Sequence, residues 1–135
     1  MMRGGRVVGA ALVALGLPGP ARSQEAIVLP SGQAVTWVET VNDTQGPAGL
    51  TARFRFLAPQ IGASGNISAE EALQDMAYLC DTYALPRLAD TGPLPSEVVV
   101  SLADRPLDFG ATDPDSVQYF EAFRIESGAC LWELY

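Results

Sequence analysis

The chain contains no histidine and no lysine; all eight of its basic residues are arginine. Without histidine there is no Ser-His-Asp triad, no Cys-His nucleophile pair and no histidine metal site. Sixteen acidic residues set against eight arginines give a formal charge of −8. That is the reverse of the basic footprint nucleic-acid binding needs, so no nucleic-acid partner is expected. Only two cysteines occur, Cys80 and Cys130. They have no Cys-x-x-Cys spacing and no adjacent His or Lys to hold a thiolate, which disfavours a redox role. At 135 residues the length suits one domain and leaves no room for a cofactor domain beside a substrate domain. No cofactor is expected.

What the sequence does have begins with an address. Arg3 and Arg6 precede an uncharged run at residues 7–17, broken by Pro18-Gly19-Pro20, and Ala21-Arg22-Ser23 precede Gln24. This is the three-part pattern of a cleavable secretory signal. The apolar run is about half of the ~20 residues a spanning helix requires. The expectation is therefore a signal peptide over 1–23 and a single mature domain over 24–135. That domain is periplasmic or secreted and is not embedded in a membrane after cleavage. Losing Arg3, Arg6 and Arg22 makes the mature chain still more acidic. In an oxidising compartment an even cysteine count reads as a disulfide, here Cys80–Cys130. Closing a ring of that length stabilises by roughly 4 kcal/mol in the chain-entropy model.

Along the mature chain, residues 27–29 suit a short edge strand. Residues 33–41 alternate, which predicts a strand with Val35, Trp37, Glu39 and Val41 on one face. Residues 42–49 carry Asn, Asp, Thr, Gly and Pro and are expected to turn. Residues 50–58 return with Phe54 and Phe56 on one side and Arg53 and Arg55 on the other, one face buried and one wet. Ser68-Ala69-Glu70-Glu71 is a capping box. The helix it opens is expected to run to about Ala84 and to stop at Leu85-Pro86. Leu73, Met76, Ala77, Cys80, Tyr83 and Ala84 form its buried stripe, with Glu70, Glu71, Gln74, Asp75 and Asp81 mostly outside it. Strands are expected at 97–102, 117–125 and 129–135, the last two joined at Glu126-Ser127-Gly128. The fold class is α+β: one α-helix on an antiparallel sheet of four to six strands, in β-β-α-β-β-β order, with one disulfide.

Four segments carry a resemblance: Tyr78-Leu79-Cys80-Asp81 with Tyr83-Ala84-Leu85-Pro86; Ser101-Leu102-Ala103-Asp104-Arg105-Pro106 with Phe109-Gly110; residues 118–124; and Cys130-Leu131-Trp132-Glu133. From about Gln33 onward the chain resembles an uncharacterised family of short exported alphaproteobacterial proteins, a family of unknown function. The resemblance implies a compartment and a shared fold and transfers no catalytic residue.

The strongest candidate interaction loop is the irregular stretch 105–115, with Arg105, Asp108, Asp113 and Asp115. Three aspartates suit a hard cation, although the spacing is not that of an EF-hand. The plainer reading is a surface loop in which Asp113 or Asp115 caps a turn. Asp104, Arg105, Arg124 and Glu126 are placed to form surface ion pairs. Phe120 and Ala122 fall on the sheet face that a single helix leaves open, which points to a second cover or a partner. The leading functional expectation is a small periplasmic binding or accessory protein of an envelope complex, without catalytic activity, acting on a protein partner. The alternatives are a small-ligand or cation binder using the 105–115 loop and a carboxylate-based hydrolase.

Overall fold

In the computed structural model of the chain, residues 25–46, 49–88 and 94–133 are described. The expected signal segment lies outside the described residues. The elements are β1 (Ile27–Val28), β2 (Ala34–Gly46), β3 (Gly49–Leu57), a 3₁₀ turn (Pro59–Ile61), α1 (Ala69–Leu79), a π turn (Cys80–Ala84), α2 (Leu85–Leu88), β4 (Glu97–Ala103), β5 (Gln118–Glu126) and β6 (Ala129–Trp132). The strands form one six-stranded sheet whose spatial order follows the sequence, β1 to β6. The α+β class, with six strands, one continuous helical stretch and one disulfide, is as expected.

One pairing differs from the antiparallel expectation. β3 and β4 run parallel, from Thr51 opposite Glu97 to Leu57 opposite Ala103, while the other neighbours are antiparallel. The cause is the helix. After Leu57 the chain leaves the sheet, crosses one face as α1 and α2, and re-enters at the opposite end, where Glu97 lies beside Thr51 at the start of β3; parallel neighbours need such a crossover.

The hairpin before the helix is longer than its turn-forming residues suggest. β2 and β3 stay paired out to Gly46 opposite Gly49, with register shifts between Trp37 and Glu39 and between Val41 and Thr44. The first shift is a bulge at Val38, and it reverses the alternation that follows. Trp37 lies opposite Phe56 but Glu39 lies opposite Arg55. The expected grouping of Val35, Trp37, Glu39 and Val41 is therefore split. Val35 is buried and Trp37 packs at the edge of the core, donating from Nε1 to Thr40 Oγ1 at 2.9 Å. Glu39 crosses to the opposite side.

The capping box forms as predicted: Ser68 Oγ accepts from the Glu71 N–H at 3.1 Å and Glu71 accepts from the Ser68 N–H at 2.9 Å. The helix does not stop at Leu85-Pro86. Its turns widen over Cys80–Ala84, where the Leu85 N–H donates to Cys80 O, five residues back. A wide turn moves the preceding carbonyls out of the register that a proline ring crowds, and the chain carries Pro86 into one last turn ending at Leu88.

The helix buries Ala72, Met76, Leu79, Cys80, Ala84 and Leu88 against Phe54, Phe56, Val98, Val100, Leu102 and Phe123 of the sheet. Tyr83 sets its ring edge-on to Phe54 and Phe56, with centroids 6.2 and 5.3 Å away. Cys80 is bonded to Cys130, with Cα atoms 6.3 Å apart, so the π turn is fastened to β6. Asp75, expected outside the stripe, is fully buried. Its carboxylate accepts from Ser31 N–H (3.0 Å), Ser31 Oγ (2.5 Å) and Gln33 Nε2 (2.8 Å), which ties the turn after β1 to the helix.

Candidate functional site

The strand registers put Arg53, Arg55, Leu57, Val99, Ser101, Ala103, Phe120, Ala122 and Arg124 on the side away from the helix. This open face has a partial cover of its own. The segment from Asp104 to Ser116 leaves β4, folds back across the face and returns into β5. Four anchors hold it. Asp104, only 7% exposed at its side chain, accepts from the Val117 N–H at 2.9 Å. Arg105 spans the base of the loop, reaching Asp104 at 3.3 Å, Asp113 at 3.6 Å and the Asp115 carbonyl at 2.9 Å. Asp113 accepts from the Asp115 N–H at 2.9 Å and its carbonyl from the Ser116 hydroxyl at 2.8 Å, a turn closed by its own side chain. At the far end, Arg55 Nη2 donates to the Leu107 carbonyl at 2.7 Å. Burial alone would push the Asp104 carboxyl up; the Val117 N–H and the Arg105 guanidinium outweigh it and hold the group below its ordinary value.

The tip of the loop carries Phe109 onto the two cations of β3. The Arg53 and Arg55 guanidinium carbons lie 6.0 and 5.5 Å from its ring centre. Gly110 turns there with φ +83°, a conformation L side chains rarely adopt. Between loop and sheet lies a cavity of about 420 Å³, lined by Arg53, Arg55, Leu57, Val99 and Ser101 on the sheet, by Val38 and Phe120 at its edges, and by Arg105, Leu107, Asp108 and Phe109 on the roof. Its size falls in the ~300–1,000 Å³ range of small-ligand sites, and its composition is theirs too: mostly apolar, with a few polar groups that converge.

The cations are not equivalent. Arg55 is ion-paired with Glu39, Arg105 with Asp104 and Asp113, and Arg124 with Glu126 and Glu133 at 2.7 and 3.1 Å. Arg53 makes no ion pair among the described residues, and its buried Nε has no hydrogen-bond partner. Of the residues singled out from sequence, Arg105, Asp113 and Asp115 meet at the base of the loop. Asp108 stands apart on the exposed roof. The three aspartates do not converge, and among the described residues no group of three or more acidic or cysteine side chains could hold a metal ion. Asp108 is the single carboxylate among the cavity-lining residues, so the facing pair a carboxylate hydrolase needs is not found there. From the sequence, Arg53 reads as an ordinary wet-face residue and Phe109 as a loop residue. The Arg-x-Arg alternation at 53–55 was the available signal, but nothing local indicates that the loop returns over it.

Over residues 13–135 the chain matches the profile described as "Family of unknown function (DUF6497)". No curated protein and no solved structure matches it.

Proposed function

Given that the chain belongs to this family of unknown function (DUF6497), which hands it no activity, we propose from the geometry that it is a non-catalytic binding protein whose site is the cavity between the 104–116 loop and the open face of the sheet. One observation carries this reading. The loop is fastened at both ends and at its tip, yet it encloses a space of about 420 Å³ instead of packing the face shut. A loop that served only to cover apolar surface would fill that space, because interiors pack to crystal-like density. The mostly apolar lining with convergent polar groups favours a small organic ligand over a metal ion.

The compartment we infer is the periplasm or exterior. The N-terminal signal pattern, the Cys80–Cys130 bond and the fact that no helix among the described residues is long and apolar enough to cross a membrane support it. A thermal-shift screen of small acids, amides, sugars and amines tests the binding role. At least one class is expected to raise the melting temperature of the wild type, and Ser101→Phe, which fills the cavity from its floor, is expected to abolish the shift. Silence across the whole screen overturns the reading.

An accessory role in an envelope complex has its own support in Phe120 and Val38, 57% and 44% exposed beside the same cavity. Site-specific crosslinking from position 120 in cells tests it, and a crosslink to one defined envelope protein is the expected result.

A further inference from the structure

We propose that the cavity is a carboxylate site: it takes a small organic monoanion with an apolar body, the carboxylate on the Arg53 guanidinium and the body under Phe109. This deepens the binding reading and rests on it. The chain has twice as many acidic as basic residues. Arg87, which has no acidic partner among the described residues, donates to the Tyr83 carbonyl at 3.0 Å and lies over the Tyr83 ring. An arginine with neither an acidic partner nor a carbonyl acceptor is therefore the exception to be explained. Arg55, Arg105 and Arg124 each have one. Arg53, between them on the same face, has none among the described residues, and its Nε is buried without an acceptor. A buried donor left unmade is costly, and native structures rarely keep one unless something outside the chain completes it.

The site selects the class of anion. A guanidinium presents parallel N–H groups that match a carboxylate two-to-two. Among the described arginines that line the cavity only Arg53 is free, because Arg55 is held by Glu39 and by the Leu107 carbonyl and Arg105 by Asp104 and Asp113. Asp108 also lines the cavity and opposes a second negative charge. One free cation facing one carboxylate suits a monoanion and disfavours a phosphate dianion. Phe109 covers both guanidinium groups, keeping water from one side of the ion pair and so strengthening it. Val99 and Leu107 supply apolar wall for the rest of the ligand.

The test is calorimetric titration of the full oxidised chain with benzoate and octanoate, with their neutral counterparts benzamide and octanamide, and with inorganic phosphate. At least one acid is expected to bind, at least ~tenfold more tightly than its amide, with no measurable phosphate binding. Arg53→Met keeps the length of the side chain and removes its charge; it is expected to lose at least ~tenfold in affinity for the acid, and Arg53→Lys to regain part of it. Unchanged melting temperatures of the ligand-free variants confirm that they fold. Equal binding of acid and amide, full affinity in Arg53→Met, or preference for phosphate overturns the carboxylate assignment. If Ser101→Phe still abolishes binding in those cases, the cavity reading stands without it. If no acid binds while a neutral compound from the thermal screen does, the carboxylate assignment fails alone. If nothing binds at all, both fail.

Discussion

At the scale of single residues, two carboxylates on the helix side are held in opposite ways. Asp75 is fully buried and has three donors from Ser31 and Gln33, so its desolvation is offset by charge-assisted hydrogen bonds. Asp75→Ala strands those donors, and Gln33 then has no partner at either end of its amide, since its Oε1 already has none. The expected loss is about 3 kcal/mol, read as a lower urea midpoint at an unchanged slope. Glu121 points from β5 toward the start of α1, beside a recess of about 250 Å³ lined by Ala69, Leu73 and Met76. Burial pushes its carboxyl up. A carboxylate raised in the folded state costs stability once pH passes the value it has in the unfolded chain, and costs nothing below it. Glu121→Gln is therefore expected to raise the melting temperature at pH 7, with the gain vanishing on acidification below the ordinary glutamate value of 4.5. A gain that persists unchanged into acid would show that packing, not ionisation, is responsible.

At the scale of elements, the π turn, β6 and the disulfide work as one unit. β6 is a four-residue edge strand, too short to be held by its ladder alone. It is secured from two directions. A tight turn at Ser127 (φ 52°) and Gly128 (φ 75°) returns it against β5, and Cys130 bonds it to Cys80 at the first residue of the π turn. Trp132 adds a tilted ring contact to Phe123, with centroids 4.8 Å apart. The bond closes a ring of about fifty residues containing α2, β4 and β5, which the chain-entropy model values at ~4 kcal/mol. The paired substitution Cys80→Ala, Cys130→Ala is expected to lose most of that in equilibrium unfolding, and wild type in excess dithiothreitol to fall to the same midpoint. If the two differ, the cavity left by the sulfur atoms, not chain entropy, accounts for the difference.

At the scale of the whole molecule, what the sequence made legible is what depends on neighbours along the chain. The Phe54/Phe56 against Arg53/Arg55 alternation, the Ser68–Glu71 cap and the single way to pair two cysteines each follow from local chemistry, and each is found. The bulge at Val38 sits in Trp-Val-Glu, with no glycine or proline to mark it. The burial of Asp75 depends on Ser31, more than forty residues away. The parallel β3–β4 pairing depends on where the crossover returns, and the cavity depends on a Pro- and Gly-containing loop that is fixed by its own Asp104, Arg105 and Asp113 and by Arg55 of β3.

The same global view sets two fields against each other in the proposed site. The molecule carries a net charge of −8, which repels an approaching carboxylate, while Arg53 attracts it only at short range beneath Phe109. Salt screens the two unequally. At ~0.1 M the Debye length is ~10 Å, so repulsion from distant surface acids fades while a covered ion pair is screened much less. Raising sodium chloride from ~10 to ~150 mM is expected to speed association of a bound carboxylate in stopped-flow measurements and to change its dissociation rate little. A basic surface patch would give the opposite sign, with association slowing as salt rises. That result would place the anion on an exposed arginine outside the cavity, such as Arg87.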